Sequence, residues 1–157
     1  MRRAAAAAAA LLLGCGYSAR QGYPSGIDTV YIEMLENRTF RRDLEFALSR
    51  ALASQVHLRT PWIVASKDHA DAFLRGRILK VDENVLSRTR QDQILESSVI
   101  VEAEVELVDA RTGKVLRHSR RASVKSFLEP RGESLETGLV KAFAELADQL
   151  LYGLEQW

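Results

Sequence analysis

From Val99 to Leu107 every second residue is apolar: Val99, Val101, Ala103, Val105 and Leu107 share one side, and Glu102, Glu104 and Glu106 share the other. A period of two belongs to an extended strand with one buried and one solvated face. Such a strand needs a partner, and the next residues supply one. Asp109-Ala110-Arg111-Thr112-Gly113-Lys114 reads as a four-residue hairpin loop with Gly113 at a left-handed position. Pairing Asp109 with Lys114 places Glu106 opposite Arg117 and Glu102 opposite Arg121, both favourable cross-strand pairs. The same register puts His118 and Arg120 on the apolar face. Either the second strand is a partly open edge, or a bulge shifts it before Ala122 and Val124.

The remaining elements are set by period and punctuation. Ile27–Leu35 is rich in β-formers and reads as a strand. Thr39 can N-cap a helix to about Val56, with Phe40, Leu44, Ala47, Leu48, Ala51, Leu52 and Val56 on one face. Pro61 to Val64 is a short extended piece and Lys67 to Ala70 a turn. Ala72, Leu74, Gly76 and Ile78 alternate with Phe73, Arg75 and Arg77, and the pattern breaks near Lys80, which predicts a bulge or bend before Val85. Ser134 caps a last helix lined by Leu135, Leu139, Phe143, Leu146, Leu150 and Leu154. The expected fold is therefore α+β: two amphipathic helices packed on one face of a four-stranded mixed sheet, in the order β-α-β-β-β-α.

The beginning of the chain has a different character. Arg2 and Arg3 precede an apolar run from Ala4 to Leu13, and Leu12-Leu13-Gly14-Cys15 follows. The run is too short for a bilayer span, which takes about 20 residues, and it fits the apolar region of an export signal. Cys15 is the chain's one cysteine, with a small residue before it and Leu three residues before. That is the site a lipoprotein signal peptidase requires, because a thiol can become a diacylglyceryl thioether. The plainer reading, an ordinary signal peptide with a chance cysteine, yields to lipidation because the chain has so few cysteines to place. The expected division is a lipoprotein signal peptide over 1–14, a lipidated N-terminus and tether over 15–26, and a single domain over 27–157. The tether is inferred from the Gly, Ser and Pro content of residues 16–26. No cofactor is expected beyond the covalent diacylglycerol and N-acyl lipid on Cys15. Gly16 after the cysteine, in place of Asp, favours sorting to the outer membrane.

Charge and motifs exclude several classes. The chain carries 22 Lys and Arg against 21 Asp and Glu, and signal removal takes away two of the cations. A near-neutral domain has no global attraction for nucleic acid. His57, His69 and His118 have no metal-ligand spacing. Asp68, His69 and Asp71 invite a metal reading, which a turn rich in capping Asp explains more simply. No phosphate loop, nucleophile elbow or paired-cysteine motif is present, so nothing argues for an enzyme.

Gly14-Cys15-Gly16-Tyr17, Thr29-Val30-Tyr31-Ile32, Glu36-Asn37-Arg38-Thr39-Phe40, Ala70-Asp71-Ala72 with Leu74, Gly76 and Ile78, and the hairpin from Val108-Asp109 to Leu116 occur in one order. Together they resemble the LPS-assembly lipoprotein (LptE) family, over nearly all of the chain after Cys15. The resemblance implies an α+β lipoprotein of the outer membrane, on its periplasmic side or in a barrel lumen. It would plug an LptD-type β-barrel and assist assembly of lipopolysaccharide into the outer leaflet. The alternative is an auxiliary periplasmic lipoprotein of an ABC transporter or envelope complex, with no barrel partner.

If a helical crossover makes the first two strands parallel, the Arg88-Thr89-Arg90 loop falls at the same end as Lys125 and Arg131. The tether and the 109–114 loop fall at the other. Lipid A presents phosphates, which Arg binds bidentately. Arg88, Arg90, Lys125 and Arg131 are therefore candidate LPS-binding residues, against the plainer reading of a solvated loop.

Overall fold

The computed structural model describes residues 22–155; Cys15 and the signal segment lie outside them. The elements are β1 (Thr29–Ile32), β2 (Glu36–Asn37), α1 (Leu44–Arg59), β3 (Ile63–Val64), β4 (Ala72–Arg88), β5 (Ile94–Asp109), β6 (Val115–Leu128) and α2 (Leu135–Tyr152). Single 3-10 turns occupy Lys67–His69 and Glu129–Arg131. All strands form one mixed sheet in the order β3-β1-β4-β5-β6, with β2 also on β4. The α+β architecture with two helices on the sheet is as expected. Two strands of two residues each raise the sheet from four strands to six, because so short a piece carries no readable period.

β1 and β4 are parallel, pairing Val30 with Ala72 and Ile32 with Leu74. A parallel pair needs a crossover, which α1 supplies. β4, β5 and β6 then run as an antiparallel meander. The core lies between this sheet and the helices. Val99, Val101, Ala103, Val105 and Leu107 from β5 are all fully buried there, with Leu74 and Ile78 of β4 and Leu48, Leu146 and Leu150 of the helices. The break near Lys80 is a register shift between Ile78 and Lys80.

The β5–β6 register differs from the expected one by one residue. Val108 still pairs with Val115, but Leu107 pairs with Arg117, so a bulge sits at Leu116. A one-residue slip exchanges the two faces of a strand. His118 and Arg120 therefore move to the outward face opposite Glu106 and Glu104. Ser119, Ser123 and Phe127 turn inward, and Val124 is left 58% exposed. The expected pairs Glu106–Arg117 and Glu102–Arg121 do not form across the ladder; Glu102 lies opposite Ala122. β6 is also the sheet's edge, so both of the readings left open for this strand apply.

α1 buries Leu44, Leu48, Leu52 and Val56, one residue per turn along a single row. It ends where Thr60 N–H and Oγ1 both donate to the Val56 carbonyl and Pro61 follows. Its start is later than expected. Thr39 does not cap it; the N-cap is Asp43, in the left-handed region at φ 65° with no side-chain cap bond. Phe40, expected on the buried helix face, lies before the helix and is fully exposed. α2 starts as expected at Ser134, in a capping box with Thr137. It approaches β6 closely at Gly138, against the Phe127 ring, and at Gly153, against Ser119.

The last residues of the expected tether lie against the domain. Tyr23 is buried beside Trp62, with ring centroids 4.8 Å apart at 66°, and its hydroxyl donates to Glu155 at 2.9 Å. Burial and that carboxylate hold the phenol well above its usual pKa. The chain thus enters the domain at the C-terminal end of both helices.

Candidate functional site

The outward face of the sheet is covered by ion pairs in rungs. Arg75 meets Glu106 at 3.2 Å and Arg77 meets Glu104 at 2.9 Å. From the other side His118 lies 3.4 Å from Glu104, and Arg120 lies 2.6 Å from Glu102. The order basic–acidic–basic across β4, β5 and β6 follows from the bulge at Leu116, without which His118 and Arg120 would face the core. Individual exposed pairs contribute little, about 0–1 kcal/mol. Collectively they make a polar face with its charges matched. A shallow hollow over Gly76, walled by Met34, Arg75, Arg77, Glu104 and Glu106, interrupts it.

The two ends of the domain differ. At the end where Tyr23 enters, Asp109 Oδ1 accepts from the N–H of Arg111 and Thr112 and from the Thr112 hydroxyl, and Gly113 takes φ 69° as expected. Nearby, Asp71 Oδ2 accepts from the Thr29 hydroxyl at 2.8 Å and from the backbone N–H groups of Thr29 and Asp28 at 2.9 and 3.1 Å. Asp71 thereby fastens β1 to the start of β4. His69 turns instead to Ser66, 3.0 Å away. Among the described residues no group of three or more His, Cys, Asp or Glu could hold a metal ion.

These carboxylates make acid stability predictable. The Thr29 hydroxyl, then backbone N–H groups, hold Asp71 below the usual carboxylate range. Thr112 does the same for Asp109, and Ser123 with Lys125 for Glu145. A folded pKa below the unfolded one gives stability that is present above the unfolded value, about 4 for carboxylates, and lost as pH falls through the folded value. The melting temperature is expected to hold from about pH 7 to 5 and to fall below about pH 4. Asp71→Asn should flatten part of that fall; an unchanged acid limb in this variant would remove Asp71 from the account.

At the opposite end Arg88 pairs in register with Ile94, and Glu96 pairs with Leu128. The β4–β5 turn and the Glu129–Arg131 turn therefore share one end of the sheet, as expected. Arg88 holds Asp92 at 3.2 Å across the turn; Arg90 and Arg131 are exposed. Lys125 does not join them. It faces the helix side and pairs with Glu145 of α2 at 2.9 Å, where Ser123 also donates. Among the described residues no helix is long and apolar enough to cross a membrane.

A two-helix layer on a mixed sheet also describes several solved bacterial proteins. PelC from Paraburkholderia phytofirmans, a dodecamer, superimposes with a TM-score of 0.52 at 17% identity, covering 87% of this chain and 94% of its own. The uncharacterized lipoprotein B from Nitrosomonas europaea gives 0.51 at 18% identity, covering 87% and 85%. The hypothetical protein CT253 from Chlamydia trachomatis gives 0.56 at 10% identity, covering 79% and 93%. These likenesses establish the fold. No curated protein matches the sequence. The family model LptE, lipopolysaccharide-assembly, matches residues 27–154, and the chain belongs to that family.

Proposed function

We propose that this protein is an outer-membrane lipoprotein, anchored through Cys15, that plugs and assists an LptD-type β-barrel as it places lipopolysaccharide in the outer leaflet. Membership of the LPS-assembly family over residues 27–154 carries this reading. The outward sheet face supports it. A barrel lumen is polar, and the rungs from Arg75 to Arg120 can be enclosed there without leaving a charge unpaired. The seven Cα-to-Cα steps from Cys15 to Gly22 span at most about 25 Å. The Tyr23 end therefore stays near the anchoring leaflet, and the Arg88–Arg90 end points away from it. Detergent extraction, affinity purification of the full chain and mass spectrometry test the partner. A large outer-membrane β-barrel is expected; repeated recovery of inner-membrane transporter subunits without a barrel would favour the auxiliary-lipoprotein alternative.

Within this reading Arg88, Arg90 and Arg131 contact lipid A phosphates, while Lys125 braces α2. Replacing the three arginines by glutamine, which avoids setting an acid beside Asp92, is expected to weaken LPS binding at low salt. Each lost charge-assisted contact costs about 1.5–3 kcal/mol in a dry site and less in a wet one. The melt should barely move, since exposed loop changes cost less than about 0.5 kcal/mol. A control altering Arg111 and Lys114 at the other end should bind as wild type. Equal losses in both variants would mean that net charge alone acts.

A further inference from the structure

The loop from Arg38 to Asp43 presents Phe40 fully exposed, more so than any other large apolar side chain among the described residues. This exposure is built into the chain. Phe40 stands four residues before Leu44, so continuing α1 backwards would place it on the buried row of Leu44, Leu48, Leu52 and Val56. Instead Asp43 takes a left-handed conformation at φ 65°, uncommon for a residue other than glycine. Asn37 braces the loop from both sides. Its Oδ1 accepts from Thr39 N–H at 2.9 Å and the Thr39 hydroxyl at 2.8 Å. Its Nδ2 donates to the Arg41 carbonyl at 2.7 Å and to Glu45 at 2.9 Å. The ring is thus held outward on a fixed support.

The surrounding charges say what kind of partner fits. Arg38 is paired with Glu36 at 2.9 Å and Arg41 with Glu83 at 3.0 Å, and Asp43 follows Arg42. The rim is charge-matched, so an anionic headgroup finds little attraction there, whereas a pocket on a protein with an apolar floor and mixed-charge rim is complementary. Interface anchors have this form, a rigid aromatic side chain inside a polar rim. A groove between the loop and Leu79 to Asp82 of β4 leaves room for the wall of such a pocket. We infer that Phe40 is an anchor residue inserting into an apolar pocket on the barrel partner. The inference rests on the barrel reading given above.

The test uses the full-length lipoprotein co-expressed with its barrel, comparing wild type, Phe40→Ala and Phe40→Leu. Barrel recovery and dissociation constant, the melting temperature in detergent, and LPS binding are measured for each. Phe40→Ala is expected to weaken barrel binding at least tenfold, with the melt and LPS binding unchanged; Phe40→Leu should stay within a few-fold of wild type. Barrel binding by Phe40→Ala equal to wild type overturns the inference alone. So does a loss confined to LPS binding, which would make the ring a lipid contact. A wild-type preparation that recovers no barrel overturns the functional reading and this inference with it.

Discussion

Gly76→Ala is expected to destabilise the domain by about 3 kcal/mol, at the upper end of the usual cost of overpacking. A Cβ at residue 76 would collide with the backbone carbonyl oxygen of Glu104 and come within 2.9 Å of Val105 Cγ1 and 3.1 Å of Val105 Cα. Two of these atoms are backbone of β5, so no rotamer change relieves the clash; β4 and β5 must move apart. Gly76 also sits between the Arg75–Glu106 and Arg77–Glu104 rungs, so separation there strains the charge-matched face as well. For a domain of this size 3 kcal/mol lowers the melting temperature by on the order of 10 °C. Gly113→Ala is the control. Nothing lies within 4 Å of its built Cβ, and only the left-handed conformation at φ 69° is penalised, at about 1 kcal/mol. Thermal melts of both variants settle the matter: a Gly76→Ala protein as stable as Gly113→Ala would show that the sheet adjusts freely.

Cys15→Ser is expected to abolish lipid anchoring altogether. A serine hydroxyl cannot form the thioether, so lipidation and cleavage both stop, leaving an uncleaved or soluble precursor. The effect is large because each buried CH₂ contributes about 0.8 kcal/mol, and a triacylated terminus inserts many of them. Globomycin should shift the mobility of the wild type in the same way. Metabolic labelling with a palmitate analogue reads the outcome, and label retained by the Cys15→Ser protein would sink the lipid assignment. With the anchor lost, the Tyr23 end is no longer held within reach of the leaflet, so barrel recovery should fall even though the domain is intact.

Regular alternation and helix caps were legible in the sequence because they are local. The period of two from Val99 to Leu107 demanded a half-buried strand, and that strand is in place with every one of its apolar members buried. Ser134 defined the start of α2, and Gly113 the hairpin turn, from a few neighbouring atoms each. The parallel pairing of β1 with β4 followed from a helix long enough to cross over. What only the tertiary structure decided depends on groups distant in sequence. The single extra residue at Leu116 carries no local signature, yet it sends His118 and Arg120 to the glutamates of β5 rather than into the core. Burying the Arg120 guanidinium and the His118 ring without partners would have been far costlier than one bulge. Topology alone groups Lys125 with the basic end, but Glu145 of α2, 2.9 Å away, holds it on the helix side. Phe40 fits the helical period; Asn37, through contacts on both sides of the loop, keeps it out of the helix. Local period sets which residues can share a face, and long-range pairing of charges and backbone groups chooses which face they finally occupy.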